Sequence, residues 1–125
     1  MTASAGTTTT TIDKRSGTLN NLQVWEKITV FSIISGDTTG AATVLLNGII
    51  QKIIVKITDF TTGDGSVDVS LTDNGDNTIF SVTNLADPAT HVFSVSESIA
   101  SEVNIILGFT DPTAAETVTV TLRGI

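Results

Sequence analysis

The stretch VDVSLTDNGDNTIFSVT, residues 67–83, decides the fold class. Before its turn, Val67, Val69 and Leu71 alternate with polar residues, which is the two-residue period of a strand with one buried face. The Asp-Asn-Gly-Asp segment that follows contains residue types that favour tight turns, and apolar and polar residues then alternate again. We therefore predict an antiparallel β-hairpin here, with its apolar residues facing a core.

The clearest single strand lies upstream, at residues 49–58, IIQKIIVKIT. Its β-branched residues and the turn residues around it favour a strand over a helix. The face predicted to be buried consists of alternate residues, Ile49, Gln51, Ile53, Val55 and Ile57. The opposite face places Ile50 and Ile54 outward, where another sheet, an arm or a second subunit would have to cover them. We name Ile50 and Ile54 as candidate subunit contacts.

Short apolar segments of the same kind recur along the chain, at residues 24–34, 42–46, 91–95, 102–109 and 116–123. Asn47-Gly48 separates two apolar segments and predicts a two-residue hairpin turn. About eight short strands at this spacing are typical of sandwiches and barrels, and no segment has a convincing helical period. We predict an all-β fold, an antiparallel two-sheet β-sandwich of jelly-roll or immunoglobulin-like type, with the strand order left open.

The N-terminal end differs from the rest of the chain. Residues 1–11, MTASAGTTTTT, offer little apolar surface to offset the entropy that is lost when a segment becomes ordered. We divide the chain into an extended Thr-rich N-terminal arm, residues 1–22, and a β-sandwich domain, residues 23–125. The arm is predicted to bind a partner through three apolar and two basic residues, Ile12, Leu19, Leu22, Lys14 and Arg15.

Charge is sparse and unevenly placed. The net charge is −7, with three acids and five bases in residues 1–56 but ten acids and one base in residues 57–125. Such an acidic body repels nucleic-acid phosphates, so we expect no nucleic-acid partner. No apolar run reaches the roughly 20 residues of a membrane span, and no basic amphipathic stretch suits a membrane surface, so we expect no membrane partner. The absence of cysteine excludes disulfides and thiolate metal sites.

Few residues are candidates for catalysis. A Ser/His/Asp triad would need His91, the single histidine, and no nucleophile-elbow motif lies near it. The glycine-containing segments 61–66 and 74–77 lack the helix and the Gly-Lys-Ser/Thr sequence that a phosphate-binding loop requires. We therefore predict no enzyme activity and no cofactor. Clustered carboxylates leave a Ca²⁺ site open as an alternative, with oxygen ligands from Asp59, Asp64, Asp68, Asp73 and Asp76.

Three β-rich segments follow the Thr-rich arm: LLNGIIQKIIVKITDF (residues 45–60), VDVSLTDNGDNTIFSV (residues 67–82) and ETVTVTLRGI (residues 116–125). This arrangement resembles the small β-sandwich virion proteins of tailed bacteriophages, and most of all their head decoration, or cement, proteins. The resemblance implies a non-enzymatic protein, made in the host cytoplasm, that binds the major capsid protein on the outer capsid surface. It also implies a homo-oligomer, with a trimer favoured, and arms that reach over neighbouring subunits.

Other functions stay open at this point. A tail- or fibre-associated module or a carbohydrate-binding β-sandwich is one alternative, and a viral coat protein or a bacterial surface or filament subunit is another. Aromatic residues, which sugar sites usually expose, make up only 5% of the chain, and Trp25 is predicted to pack in the core or at its rim. For the decoration hypothesis, we expect removal of residues 1–22 to weaken capsid binding and to leave the domain folded.

Overall fold

Nine β-strands form the described part of the chain. The computed structural model describes residues 8–15, 25–34, 36, 38–58, 66–86, 89–109 and 116–125. The strands are β1 Thr8–Arg15, β2 Trp25–Ile33, β3 Thr39–Leu45, β4 Gly48–Ile57, β5 Ser66–Asp73, β6 Thr78–Ala86, β7 Ala89–Ile99, β8 Glu102–Phe109 and β9 Glu116–Gly124. These residues contain no helix, and so none with the length and apolar character to cross a membrane.

The strands pair as one long hairpin that is folded over itself. Its tip is the pair β5–β6, and the antiparallel pairs β4–β7, β3–β8 and β2–β9 follow outward. The lateral pairs β4–β9 and β5–β8 complete a five-stranded sheet, in the order β1-β2-β9-β4-β7, and a four-stranded sheet, in the order β3-β8-β5-β6. Strands β2–β9, wound in this way into two antiparallel sheets, form a jelly roll. The predicted β-sandwich is confirmed, and the strand order selects the jelly roll from the two types left open.

The core lies between the two sheets and is filled by alternate residues of the central strands. In β9, Val118, Val120 and Leu122 are fully buried, and β5 and β8 alternate in the same way. Burial of an aliphatic side chain of this size stabilises a fold by about 1.5–3 kcal/mol. Phe80 of β6 contacts Phe93 of β7 with ring centroids 5.2 Å apart, so this aromatic pair closes one side of the sandwich between edge strands of opposite sheets.

The hairpin at the tip is the one that the sequence predicts. Between β5 and β6, Oδ1 of Asp73 accepts hydrogen bonds from the backbone N–H groups of Gly75 and Asn77, each at 2.9 Å. The side-chain amide of Asn77 donates to the same carboxylate at 3.0 Å. The backbone and side-chain hydrogen bonds from Asn77 favour the ionised form and lower the pKa of Asp73 below its ordinary value. One charged side chain therefore adds to the backbone hydrogen bonds that close the turn, from Asp73 N–H to Asn77 O at 2.9 Å and from Asp76 N–H to Asp73 O at 3.1 Å.

Asn47-Gly48 does not form the predicted hairpin. Strand β3 lies in the four-stranded sheet and β4 in the five-stranded sheet, so this dipeptide carries the chain across the sandwich. Oδ1 of Asn47 accepts a hydrogen bond at 2.9 Å from the N–H of Ser101, which lies in the neighbouring crossover between β7 and β8. The local Asn-Gly signal identifies the turn correctly, but it carries no information on whether the flanking strands share a sheet.

A register shift in β4 reverses the predicted faces of its first residues. The pairing of β4 with both neighbouring strands shifts between Ile50 and Lys52. Ile50 is therefore fully buried and Gln51 exposed, and regular alternation resumes with buried Ile53 and half-buried Ile54. The prediction that Ile50 faces outward as a subunit contact is wrong, because an irregular residue in a strand changes the side on which alternate side chains lie.

Part of the predicted arm lies along the domain's own sheet. Strand β1 pairs antiparallel with β2 over its whole length and forms one edge of the five-stranded sheet. Residues 1–7 and 16–24, which include Leu19 and Leu22, lie outside the described residues. The predicted boundary after residue 22 stays a prediction.

Trp25 packs where the first and last strands of the jelly roll meet. As predicted, it is a core residue, with 4% of its surface exposed. A Cβ at Gly48 would lie 2.9 Å from its Nε1, and a Cβ at Gly124 would lie 2.8 Å from its Cζ2. Beside it, Ile49 and Ile125 exchange backbone hydrogen bonds of 2.9 and 3.1 Å. The packing of the indole therefore depends on the absence of side chains at Gly48 and Gly124.

Candidate docking face on the five-stranded sheet

An apolar row crosses the outer face of the five-stranded sheet. The adjacent strands β2, β9, β4 and β7 each contribute one residue at paired positions: Ile28, Thr121, Ile54 and Val92. These side chains point away from the core, because Val120 and Leu122, which alternate with Thr121, are fully buried. We call these four residues the apolar row.

Exposure along the apolar row differs between its centre and its end at β7. Thr121 is only 9% exposed although it points outward, since Ile28 and Ile54 flank it. Val92, at the edge of the sheet, is 54% exposed. Ile28 and Ile54 are half-buried, so contact with another molecule along the row would remove their remaining apolar area and that of Val92 from water.

Basic side chains flank the apolar row on both sides. On one side, Arg123 pairs in register with Lys52 and with Glu26, and its Nη2 donates to Oε1 of Glu26 at 3.1 Å. On the other side, Lys56 pairs with Thr119. An exposed ion pair like Arg123–Glu26 contributes little to stability, so these charges are available to act on a partner instead.

The two sheets differ in the sign of their charge. All six basic residues of the chain lie on strands of the five-stranded sheet: Lys14, Arg15, Lys27, Lys52, Lys56 and Arg123. The charged residues on the strands of the four-stranded sheet are all acidic: Asp68, Asp73 and Glu102. An acidic partner would therefore be attracted to the five-stranded sheet and repelled by the other one.

The residues predicted as binding sites fall partly on this face. Ile54 lies at its centre. By backbone pairing, Ile12 lies opposite Ile28 of the apolar row, and Lys14 lies opposite Glu26. Arg15 is paired with the buried tryptophan of β2. The register thus brings Ile12, Lys14 and Ile54 onto one sheet, although Ile12 and Lys14 belong to the predicted arm and Ile54 belongs to the predicted domain.

Sequence reasoning missed Ile28, Thr121 and Val92 as members of one surface. The outward direction of Thr121 could be read from the alternation in β9, where threonine and apolar residues take turns. The neighbours of these residues could not be read, since they depend on the register between strands that are far apart in sequence. A further signal in the sequence was the apolar Val92 among outward-facing serines.

A concave surface lies on the outer face of the four-stranded sheet. A groove of about 340 Å³ is lined mainly by small and polar side chains, among them Ala41, Thr43, Thr72, Asp76, Asn104 and Ile106. A smaller groove of about 170 Å³ adjoins it at Ile106 and reaches β6. Oγ1 of Thr43 donates to Oδ1 of Asn104 at 2.8 Å, which uses the amide oxygen and not the amide N–H groups. Among the described residues that line these grooves, none is basic or aromatic.

Metal-binding clusters are absent from the part of the chain that the structure describes. No three histidine or carboxylate side chains there are grouped closely enough to hold a metal ion. Nε2 of His91 lies 3.0 Å from a backbone carbonyl oxygen at the end of β6. Two carboxylates considered for Ca²⁺ have other partners, since Asp73 holds its turn and Asp68 accepts a backbone N–H of β6 at 2.8 Å. Asp59 and Asp64 lie outside the described residues.

Comparison with known proteins gives distant structural similarity alone. The sequence matches no protein-family model and no curated protein. The CBM22-1 xylan-binding domain of Paenibacillus barcinonensis Xyn10C is 13% identical with a TM-score of 0.41, and the match covers 98% of this chain and 83% of that one. The C-terminal family 22 carbohydrate-binding module of Clostridium thermocellum Xyn10B is 11% identical with a TM-score of 0.40, covering 99% and 85%. A domain of tailspike protein 4 from bacteriophage CBA120 is 11% identical with a TM-score of 0.35, covering 98% and 18%.

Proposed function

We propose that the protein is a non-enzymatic structural protein of a virion, a capsid decoration subunit that binds the shell through its five-stranded sheet. The observation that carries the proposal is the apolar row, which has Ile54 near its centre and basic residues on both sides. Stable protein interfaces have this arrangement, with an apolar centre inside a polar rim. The proposed partner is the major capsid protein, and the proposed location is the outer capsid surface.

The chemistry of this face suits a protein partner. Ile28, Ile54 and Val92 are β-branched, so their side chains lose little rotamer freedom when a partner covers them. Lys52, Lys56 and Arg123 would meet acidic groups of the partner. These charges would affect the orientation and the rate of association more than the affinity of the complex. A nucleic-acid partner is disfavoured, because the basic residues are few and the molecule as a whole is acidic.

The N-terminal segment would enlarge the contact. Strand β1 extends the five-stranded sheet by one strand beside β2. We assign partner binding in this segment to the predicted residues Ile12, Lys14, Arg15, Leu19 and Leu22. Side chains from an edge strand and its linker add contact area at little cost in mass, and several weak contacts on one body act together.

Fold-level analogy agrees with this proposal without deciding it. Eight-stranded jelly rolls occur in viral capsid domains and also in lectins. Because one fold hosts many functions, the fold cannot choose between a structural and a sugar-binding role. The proposal therefore rests on the apolar row and its charged surroundings.

Immunogold electron microscopy of virions released by cells that produce this protein tests the location. Label spread evenly over the heads is expected, whereas label confined to tails or fibres, or absent from particles, would contradict a decoration role.

Cosedimentation with purified capsids tests the face itself. Ile54→Lys should weaken binding at least about tenfold, or 1.4 kcal/mol, because it places an unpaired charge at the centre of the contact. Ser81→Lys adds the same charge at an exposed position of the four-stranded sheet and should bind like the wild type. If the two variants bound equally well, the contact would not be this face.

Glycan binding is a second candidate function, which the groove on the four-stranded sheet favours. Its hydroxyl and amide groups can bond a neutral polyhydroxylated ligand, and Asp68 and Asp76 would repel an anionic one. On a glycan array, we expect hits restricted to neutral sugars that Asn104→Ala abolishes and Ile54→Lys retains. An array without hits would dispose of this candidate and leave the docking proposal untouched.

A further inference from the structure

Strand β7 has a long backbone edge on the side away from β4. It runs over 11 residues, Ala89–Ile99, beyond the predicted segment 91–95, and it ends the strand order of the five-stranded sheet. Its second side has no strand partner among the residues that the structure describes. The exposed side chains along β7 are Thr90, Val92, Ser94, Ser96 and Ser98. An edge of this length is a template for pairing with another strand.

The other sheet edges have features that discourage such pairing. Strand β1 ends in three consecutive charged residues, Asp13, Lys14 and Arg15. Strand β6 shifts its register twice against β5 and holds Asn84 at a φ of 59°, and β3 has only 7 residues. In contrast, β7 contains no lysine, arginine or proline. It therefore lacks the lysine and proline residues that often protect a sheet edge, although its pairing with β4 shifts register between Ser94 and Glu97.

The backbone groups of alternate residues in β7 point towards this edge. The N–H of Thr58 donates to the carbonyl of Thr117 at 3.2 Å, so from Lys52 to Ile57, after the register shift, even-numbered residues of β4 bond to β9 and odd-numbered ones bond to β7. Ile53 is paired with Phe93, so Phe93 bonds within the sheet. Its neighbours Val92 and Ser94 consequently direct their N–H and C=O groups outward.

We propose that β7 pairs antiparallel with β7 of a second copy of this chain, about a two-fold axis at Ser94. Ser94 is the middle residue of the strand, so this register overlaps its full length. It places His91 opposite Glu97 of the second copy, and the symmetry produces this pair twice. It also places Phe93 opposite Val95 of the second copy, which joins two half-buried apolar side chains.

The side chains of β7 select this register. His91 and Glu97 are its only ionisable residues, and directly opposite side chains have Cβ atoms roughly 4.5–5.5 Å apart, within reach of an imidazole–carboxylate contact. A slide of two residues in either direction would instead place His91 opposite Val95 or Ile99. When the imidazole carries both protons, its Nε2–H donates to the Ala86 carbonyl oxygen, 3.0 Å away, and its Nδ1–H is left to donate to the carboxylate.

Pairing at this edge would join two five-stranded sheets into one continuous sheet. The two-fold axis is perpendicular to the sheet, so the outer faces of both copies lie on the same side. Both apolar rows would then face one target, and each contact would raise the effective concentration for the other. The expected assembly is a dimer and not the trimer that the resemblance to decoration proteins implies.

Light scattering on size-exclusion chromatography of the full chain tests the pairing. We expect a mass of twice 13.0 kDa that returns to 13.0 kDa on dilution. Ser94→Pro removes the outward N–H at the axis, where an edge strand tolerates proline, and should raise the dimer dissociation constant at least about tenfold. Ser94→Ala keeps that N–H and should dimerise like the wild type. A wild-type chain that stays at 13.0 kDa at every concentration, or a proline variant that dimerises equally well, would overturn the proposal.

A disulfide test examines the register without relying on proline. The chain has no cysteine, so Ser94→Cys introduces a single thiol. The paired residues at the axis would have Cα atoms roughly 5.5 Å apart, a separation that a disulfide spans. Under mild oxidation, Ser94→Cys should form a covalent dimer at least about tenfold faster than Ser81→Cys, the matched variant at an exposed serine of β6. Equal rates for the two variants would contradict pairing at β7.

Discussion

At the scale of single residues, the surroundings of Trp25 illustrate how a position without a side chain sets local structure. The indole is buried, and its Nε1 has no hydrogen-bond partner among the described residues. Gly48 adopts a φ of +152°, which L side chains rarely adopt. A Cβ at this position would lie 2.8 Å from the carbonyl oxygen of Ile125 and 2.9 Å from Nε1 of the indole. Close packing of Trp25 therefore requires glycine at this turn.

Gly48→Ala should destabilise the protein by about 1–3 kcal/mol, because it adds a Cβ 2.8 Å from Ile125 O at a strained φ. Urea unfolding followed by Trp25 fluorescence measures the change. Gly108→Ala is the matched control, since no atom lies within 4 Å of its added Cβ. Its effect should stay within about 1 kcal/mol in either direction. Equal losses for the two variants would contradict the packing argument.

Asp73 should make stability depend on pH. The hydrogen bonds of Asp73 lower its pKa in the folded state, whereas its pKa in the unfolded state is about 3.9. A lowered folded-state pKa gives stabilisation that is fully present above the unfolded value and is lost as the pH falls through the folded-state value. Asp73→Asn should therefore destabilise at neutral pH and converge with the wild type in acid. Urea unfolding of both proteins, measured from neutral to acidic pH, checks this prediction. Asp76→Asn controls for the loss of one charge in the same turn.

At the scale of strands, the sequence predicted what each segment becomes better than which segments meet. The hairpin at 67–83 was predictable because its alternation and its turn lie within one short stretch. The misread turn at Asn47-Gly48 shows the limit, since pairing with a distant strand decided where β4 lies. The apolar row was out of reach for the same reason, because Ile28 and Thr121 are brought together by tertiary register alone. Neither residue alternation nor turn residues predict a register shift such as that in β4.

The register shift in β4 predicts different costs for two neighbouring isoleucines. Ile50→Ala should lower the free energy of unfolding by about 2–5 kcal/mol, because it empties a fully buried site. Ile54→Ala removes a half-buried side chain on the outer face and should cost less than about 1.5 kcal/mol. Urea midpoints of both variants check the order. Similar small losses for the two variants would instead support the unshifted alternation, in which both isoleucines face outward.

At the scale of the whole molecule, the jelly roll separates two chemistries onto two faces. The five-stranded sheet holds every basic residue and the apolar row, and the four-stranded sheet holds acidic charge and a polar groove. A single winding of the chain thereby gives a small protein two different outer surfaces. If one is covered in an assembly, the other stays free to meet solvent or a second partner.

Folding of this winding should begin near β5–β6 and finish at β2–β9. The tip pair closes over a short turn, whereas Trp25 and Gly124 stand at opposite ends of the domain sequence, so loop-closure entropy favours the tip. Folds dominated by such distant pairs complete folding in roughly milliseconds to seconds.

Leu71→Ala in β5 should mainly slow folding, whereas Leu122→Ala in β9 should mainly accelerate unfolding. Stopped-flow fluorescence over a range of urea concentrations separates the two rates, and the reverse assignment would place the nucleus at the other end of the winding. The chain has one tryptophan and no tyrosine, so its intrinsic near-ultraviolet emission comes almost entirely from Trp25. That residue lies at the strand pair expected to form last. The change in Trp25 emission therefore reports when folding is completed and not when it begins.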